Sequence, residues 1–456
     1  VGSAERWAAC CRRWCKAGTA FHVSSWFLYF HVEQGSGEID STRAQGIYNA
    51  IFPYYAEVCV VTQYHKKGST PGGWGGHASL FLHGAEIDPS RGYPRLQLAA
   101  DDGSLSGPDT GTGISVNQIL SNVNWVAIPG RDQFFRGGLT PEQTLDDASY
   151  EAAVETATMS GWFAGVKIKD SVMRRRPAAM PTTEFIVRNS IGTDFALNFA
   201  RTAYCARLPL SREATAQVIA YLNGANERAQ EGGYTWNAYT DNCSHITHNA
   251  LAAAGVWDAK QTRRPGVANV VKDILSVAKA VALRRMSDFS FPANNFVRAF
   301  EAGNERPIDG AAAAFKDHDL IRTLNDGWMS TGPGALIVTY PMHEATRNRV
   351  FAAGRDPFLF SVPRVWDKED KFKILTRNAS PSLTDLGPNL SHFRDRFAEI
   401  LARRRDVSEE LTTIDAENNE QAFRLFYERF YQFIERQLLR TNSLITDHAR
   451  FVDAVS

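Results

Sequence analysis

Through residues 44–260 the apolar positions keep switching between a helical and an extended period. A helical spacing around Ile47–Tyr55 runs into the apolar stretch Ala56–Thr62, which predicts a strand, and His77–Leu82 predicts a second strand beside it. Further strands are predicted at Val123–Pro129, Thr183–Arg188 and Ala203–Leu208. Between them, Thr140 as N-cap, Pro141 at the first helical position and Gln143 as the other half of a capping box predict a helix reaching Met159. Ser211 caps another, in which Ala214, Val218, Tyr221 and Leu222 fall at helical spacing. Beyond Gly255 the character changes. Val267–Arg285 predicts a helix and Leu336–Tyr340 a short buried strand. A stripe of Phe423, Phe426, Tyr427, Phe430, Phe433, Ile434 and Leu438 then predicts an amphipathic C-terminal helix.

One of these helices starts on a cysteine. In Asp241-Asn242-Cys243-Ser244-His245-Ile246-Thr247-His248-Asn249-Ala250-Leu251, Asp241 and Asn242 are good N-cap residues and Gly255 is a natural stop, so Cys243 falls in the first turn. There the unpaired N–H groups and the positive end of the helix dipole favour a thiolate, the nucleophilic form of cysteine. The nearby histidines are badly aimed as bases. At roughly 100° per residue, His245 lies about 200° and His248 about 140° around the helix from Cys243.

A base is available on the second strand. His77 opens Trp74-Gly75-Gly76-His77-Ala78-Ser79-Leu80-Phe81-Leu82-His83-Gly84-Ala85-Glu86-Ile87-Asp88, where Gly84 and Ala85 suit a turn and Glu86–Asp88 a returning strand. Such a hairpin puts Asp88, or failing it Glu86, on the face of His77, able to orient the ring across the strands. Thiolate, imidazole and an orienting polar group are the parts a cysteine hydrolase needs. Residues 66–76 read as a loop ending at the base, which makes Trp74 and Gly76 candidate substrate contacts, with Tyr239 ahead of the nucleophile as a third; a plain connecting loop is the other reading.

His on a strand, a polar residue some way downstream and a distant Asn242-Cys243-Ser244-His245 at a helix start resemble the circularly permuted papain-like superfamily. Asn242–His245 with Asn249-Ala250-Leu251 is similar to the Asn-Cys-x-His-Phe motif of lecithin:retinol acyltransferase-like proteins and PPPDE-type isopeptidases, with Ile246 where those have an aromatic. Tyr234–Tyr239 resembles the aromatic lead-in of bacterial relatives. The resemblance covers roughly residues 55–257. It implies His before Cys in the chain, and thiol chemistry on an amide or ester through a thioester, by hydrolysis or acyl transfer. It leaves open whether the substrate is a peptide, an isopeptide, a peptidoglycan amide or a lipid ester.

The expected fold class is therefore α+β. Residues 1–258 form a permuted papain-like domain, an antiparallel sheet packed on helices with an insertion near 89–180. Residues 259–456 form a mainly α-helical region with a short strand near 335–341, expected to cover part of the cleft. With 456 residues, 44% of them hydrophobic, such cores can be filled. Lys plus Arg equals Asp plus Glu at 50 each, so charge makes no case for nucleic acid or an anionic membrane as partner. No apolar run reaches the roughly 18 residues of a membrane span, and residues 1–30 lack a secretion-signal pattern. A cytoplasmic protein, or one secreted without a recognisable signal, is expected. Six scattered cysteines do not make a disulfide framework, which favours a reducing compartment and reads Cys59 and Cys205 as buried thiols. No cofactor is implied. Two other readings stay open: a catalytically silent binding or structural protein, and a metal-dependent hydrolase using Cys243, His245 and His248, whose side chains suit zinc although the helix spreads them apart.

Overall fold

Tyr55–Val61 forms β1, and Tyr55, Ala56, Glu57, Val58, Cys59 and Val61 are each almost fully buried, so the strand lies inside a sheet covered on both faces. The computed structural model describes residues 41–61, 77–100, 103–199, 201–237, 241–254, 332–343, 381–402, 404 and 420–454. Its strands are β1, β2 (His77–His83), β3 (Ala85–Ile87), β4 (Leu96–Leu98), β5 (Thr112–Ser115), β6 (Val126–Pro129), β7 (Ala203–Pro209) and β8 (Leu336–Tyr340). The helices are α1 (Ser41–Ile51), α2 (Asp147–Met159), α3 (Asp170–Met173), α4 (Thr182–Ser190), α5 (Arg212–Gly232), α6 (Cys243–Ala253), α7 (Pro381–Thr384), α8 (Leu386–Ala402) and α9 (Glu420–Ala454). Six strands make one sheet in the order β6-β5-β2-β1-β7-β8, every neighbouring pair antiparallel. The expected mixture of an antiparallel sheet and helices is present.

Register sorts the side chains onto two faces. Val61, Cys59, Glu57 and Tyr55 stand opposite His77, Ser79, Phe81 and His83 on one side, and Cys59 and Glu57 stand opposite Cys205 and Arg207 on the other. This face is unusually polar for a buried one. Helix α1 lies over it, with Gln45 donating to the Tyr55 hydroxyl at 2.9 Å and accepting from Arg207 at 2.7 Å. A π-helical turn, Asp132–Arg136, covers the neighbouring part, where Phe134 and Phe135 pack on Phe81. Gly113 of β5 is required there, since a Cβ would stand 2.0 Å from the Phe134 ring. Over the second face lies α5, whose Leu222 carbonyl accepts from the Trp125 indole at 2.7 Å; α6 packs against α5 and β2.

The hairpin expected after His77 does not form. Both edges of β2 are already paired, with β1 and with β5, so β3 leaves at Gly84 and joins β4 in a separate two-stranded sheet, Glu86 opposite Gln97. Gly84 does make the turn, at φ 83°, pressed so close to Tyr54 that a Cβ would lie 2.3 Å from its ring. Thr183–Arg188, expected as a strand, belongs to helix α4: its apolar run Phe185–Val187 is buried, and Arg188 donates to Glu184 one turn back at 2.8 Å. The capping motif at Thr140 is made, Thr140 N–H donating to Gln143 Oε1 at 2.8 Å, but it closes only a turn. Helix α2 begins at Asp147, behind the capping box of Asp146 and Ser149.

One further expectation changes. Cys59 and Cys205 are directly opposed, 4.1 Å apart at Cα, and are joined in a disulfide. The sequence separation of 146 hides a contact that the register makes. The pair removes the ground for favouring a reducing compartment. Across the boundary expected near residue 258, β8 pairs with β7 from Ala203 to Arg207. Asn389 of α8 fastens β8 further, accepting from Gly334 N–H at 2.8 Å and donating to the Ala335 carbonyl at 3.0 Å. Tyr48, Phe52 and Tyr55 share a core with Leu336, Leu386 and Leu390. These elements belong to one compact unit, Thr42–Ser456. The helix expected at Val267–Arg285 lies outside the described residues. No described helix is long and apolar enough to cross a membrane.

Candidate active site

Cys243 is the first residue of α6, as its flanking residues predict. The Asn242 side chain accepts from the His245 N–H at 3.3 Å, and Asp241 and Asn237 exchange backbone hydrogen bonds of 3.1 and 2.7 Å that close the loop before the helix. Cys243 is half-buried and, among the described residues, the one cysteine outside a disulfide. Around it stand Tyr234, whose phenol is pushed up by burial and then by the nearby Asp241 and Cys243 charges, and Asp241 itself. Burial raises the Asp241 carboxyl, against a 3.3 Å hydrogen bond from Asn124 and the charge of His245. An ionised Asp241 works against a neighbouring thiolate, whereas the α6 N-terminus favours it.

His77 opens β2, the strand against which α6 packs. Its ring is nearly buried and hydrogen-bonds to Ser115, Nε2 lying 2.9 Å from the hydroxyl oxygen, and to the Thr193 backbone. Ser115 Oγ lies in turn 2.8 Å from Asp194 Oδ1 and 3.0 Å from the Thr193 carbonyl, and Asn117 donates to Asp194 Oδ2 at 2.8 Å. Burial lowers the His77 pKa to about 3, with the Arg201 charge pulling the same way and the Thr193 backbone opposing. The imidazole is therefore neutral near pH 7, able to accept a proton but not holding one in advance.

Asp88 stands elsewhere. Its Oδ2 pairs with Arg95 Nε at 3.3 Å and its Oδ1 accepts from Ser90 N–H at 2.9 Å, interactions that hold the carboxyl below its usual range, the Ser90 hydrogen bonds first. Because β3 does not fold back on β2, Asp88 does not orient His77, and Glu86 fares no better: it accepts from Gln97 at 2.7 Å. Trp74, Gly76 and Tyr239 lie outside the described residues. His343, at the end of β8, is buried with Nδ1 2.8 Å from the Gln143 carbonyl, a structural position. Among the described residues the set whose ligand atoms gather within 4.8 Å is Glu57, Cys59 and Cys205, not Cys243, His245 and His248, and both of its sulfurs are spent in the disulfide.

The residues that hold His77, Ser115 and Asp194, escaped the sequence reading. Polar side chains two apart in Gly113-Ile114-Ser115-Val116-Asn117, otherwise apolar and buried, are the signal that pointed to them. No protein-family model matches the chain, and no curated protein or solved structure is significantly similar to it.

Proposed function

We propose that the protein is a cysteine-dependent hydrolase or acyltransferase acting on an amide or ester, with Cys243 as nucleophile and His77 as base. One observation carries this: Cys243 sits at the head of α6, half-buried and outside any disulfide, while Cys59 and Cys205 are sealed in a buried disulfide. His77 belongs to β2, the strand against which α6 packs, with its side chain on the face it shares with Ser79 and Phe81. A neutral, desolvated His77 does not hold a stored thiolate–imidazolium pair, and burial that keeps the ring at about 3 has to be relieved for it to act as base. The thiol proton passes to the ring as the S–C bond forms. The same proton then goes to the leaving nitrogen or oxygen as its bond to carbon breaks, leaving a thioester for water or another acceptor. Backbone N–H groups at the start of α6 are the oxyanion donors. Peptide, isopeptide and lipid-ester substrates all fit this chemistry.

Treating the full chain with a thiol-directed electrophile, followed by peptide mass spectrometry, tests the assignment. Adduct concentrated on Cys243, and slowed by His77→Ala, supports it. A folded protein whose Cys243 stays unmodified supports instead a non-catalytic binding role, the reading favoured by the present engagement of His77 with Ser115.

A further inference from the structure

The carboxylate that serves His77 comes from a part of the chain far from Asp88. Leu80 pairs with Ile114, so Ser79 stands opposite Ser115, and His77 is the diagonal neighbour of Ser115 on one face of the sheet. The turn after α4 delivers Asp194 to this point. It is tied by Asp194 N–H donating to the Ser190 carbonyl at 2.7 Å, Gly192 N–H to the Phe195 carbonyl at 2.7 Å and Arg201 to the Gly192 carbonyl at 2.8 Å. Asp194, Ser115 and Asn117 are all buried.

We infer that Asp194, acting through Ser115, is the positioning pair for His77 and fixes its ring as the Nε2–H tautomer. Proton counting gives the reason. The Ser115 hydroxyl has one proton and two acceptors in reach besides the ring, and a carboxyl oxygen that already accepts from Asn117 on its other arm is the nearer one, so the proton is assigned to Asp194 Oδ1. The oxygen of Ser115 then accepts from His77, which places the single N–H of the neutral ring on Nε2, shared with the Thr193 backbone, and the lone pair on Nδ1. Asn117, donating to the other carboxylate oxygen, keeps Asp194 from turning away. The groups facing the ring are thus Ser115, Asp194, the Thr193 carbonyl and the Arg201 charge. The inference rests on the reading of His77 as base: Nδ1 is the atom that takes the Cys243 proton.

Long-range proton–nitrogen NMR correlation on the histidine-labelled full chain reads the tautomer directly. The expected result is His77 as Nε2–H in the wild type, a shift toward Nδ1–H or a mixture in Ser115→Ala, and restoration in Ser115→Thr. Cys243 alkylation should slow by roughly tenfold or more in Ser115→Ala and in Asp194→Asn, the usual scale for losing an orienting partner, and recover in Ser115→Thr. A wild-type ring in the Nδ1–H form overturns the inference whether or not any variant folds, as does an unchanged tautomer in a folded Ser115→Ala. If the tautomer behaves as expected but wild-type Cys243 does not react, the thiol chemistry fails and the positioning pair stands.

Discussion

Glu57 and Arg207 face one another across β1 and β7, Oε1 and Nε 2.6 Å apart, where solvent barely reaches either. Arg131 adds a second guanidinium at 2.9 Å, stacked 4.3 Å over the Phe81 ring, and the Tyr340 hydroxyl donates to the other carboxylate oxygen at 2.8 Å. Burial alone raises the Glu57 carboxyl, but the two arginines outweigh it and hold the pKa at about 2. Glu57→Gln strands two buried cations, and a loss of about 3–5 kcal/mol is expected in urea unfolding. A loss below about 1 kcal/mol would show that the cluster tolerates the missing charge.

Stability should fall on the acid side in two stages. The buried rings of His77 and His83, depressed to about 3 and about 4, stay neutral while the unfolded chain gains protons near about 6.5, so stability is complete above that pH and declines below it. Glu57 adds a second loss between its unfolded value of 4.5 and about 2. Unfolding curves across pH 8 to 2 check this; stability level from pH 7 down to 5 contradicts the histidine part.

Asp88→Asn separates the two accounts of His77. If Asp88 oriented the ring, alkylation of Cys243 would slow. With Asp88 paired to Arg95 and Ser90, the variant should alkylate at the wild-type rate, while Ser115→Ala does not.

The Cys59–Cys205 bond ties β1 to β7 at the middle of the sheet. Peptide mapping without reductant should recover the linked pair. Cys59→Ser with Cys205→Ser should lower stability by about 2–5 kcal/mol, the usual scale for a native disulfide. Two free thiols in protein purified without reductant would contradict the pairing.

What the sequence disclosed was local. The N-cap at Asn242, the start of α6 on Cys243, the Ser211 cap of α5 and the strand at Leu336–Tyr340 depend on nearest neighbours and are found where expected. Register and pairing are not local. Nothing in Gly84–Asp88 reveals that both edges of β2 are occupied, so the expected hairpin does not form and Asp88 bonds to Arg95 and Ser90. Phe185–Val187 looks extended on its own and is helical because one helix face buries it beside the Glu184–Arg188 pair. Glu57 and Arg207, charges inside apolar strand runs, were the visible sign of a buried ion cluster, yet only the β1–β7 register shows that they meet.

The central claim is that Cys243 forms a covalent acyl intermediate. The full chain is mixed with an activated short-chain ester, quenched in acid and weighed by intact-mass and peptide mass spectrometry. The account predicts one acyl group on Cys243, discharged by neutral hydroxylamine, absent from Cys243→Ala and formed more slowly in His77→Ala. Acylation confined to lysines or hydroxyls, unchanged by Cys243→Ala in folded protein, would contradict it.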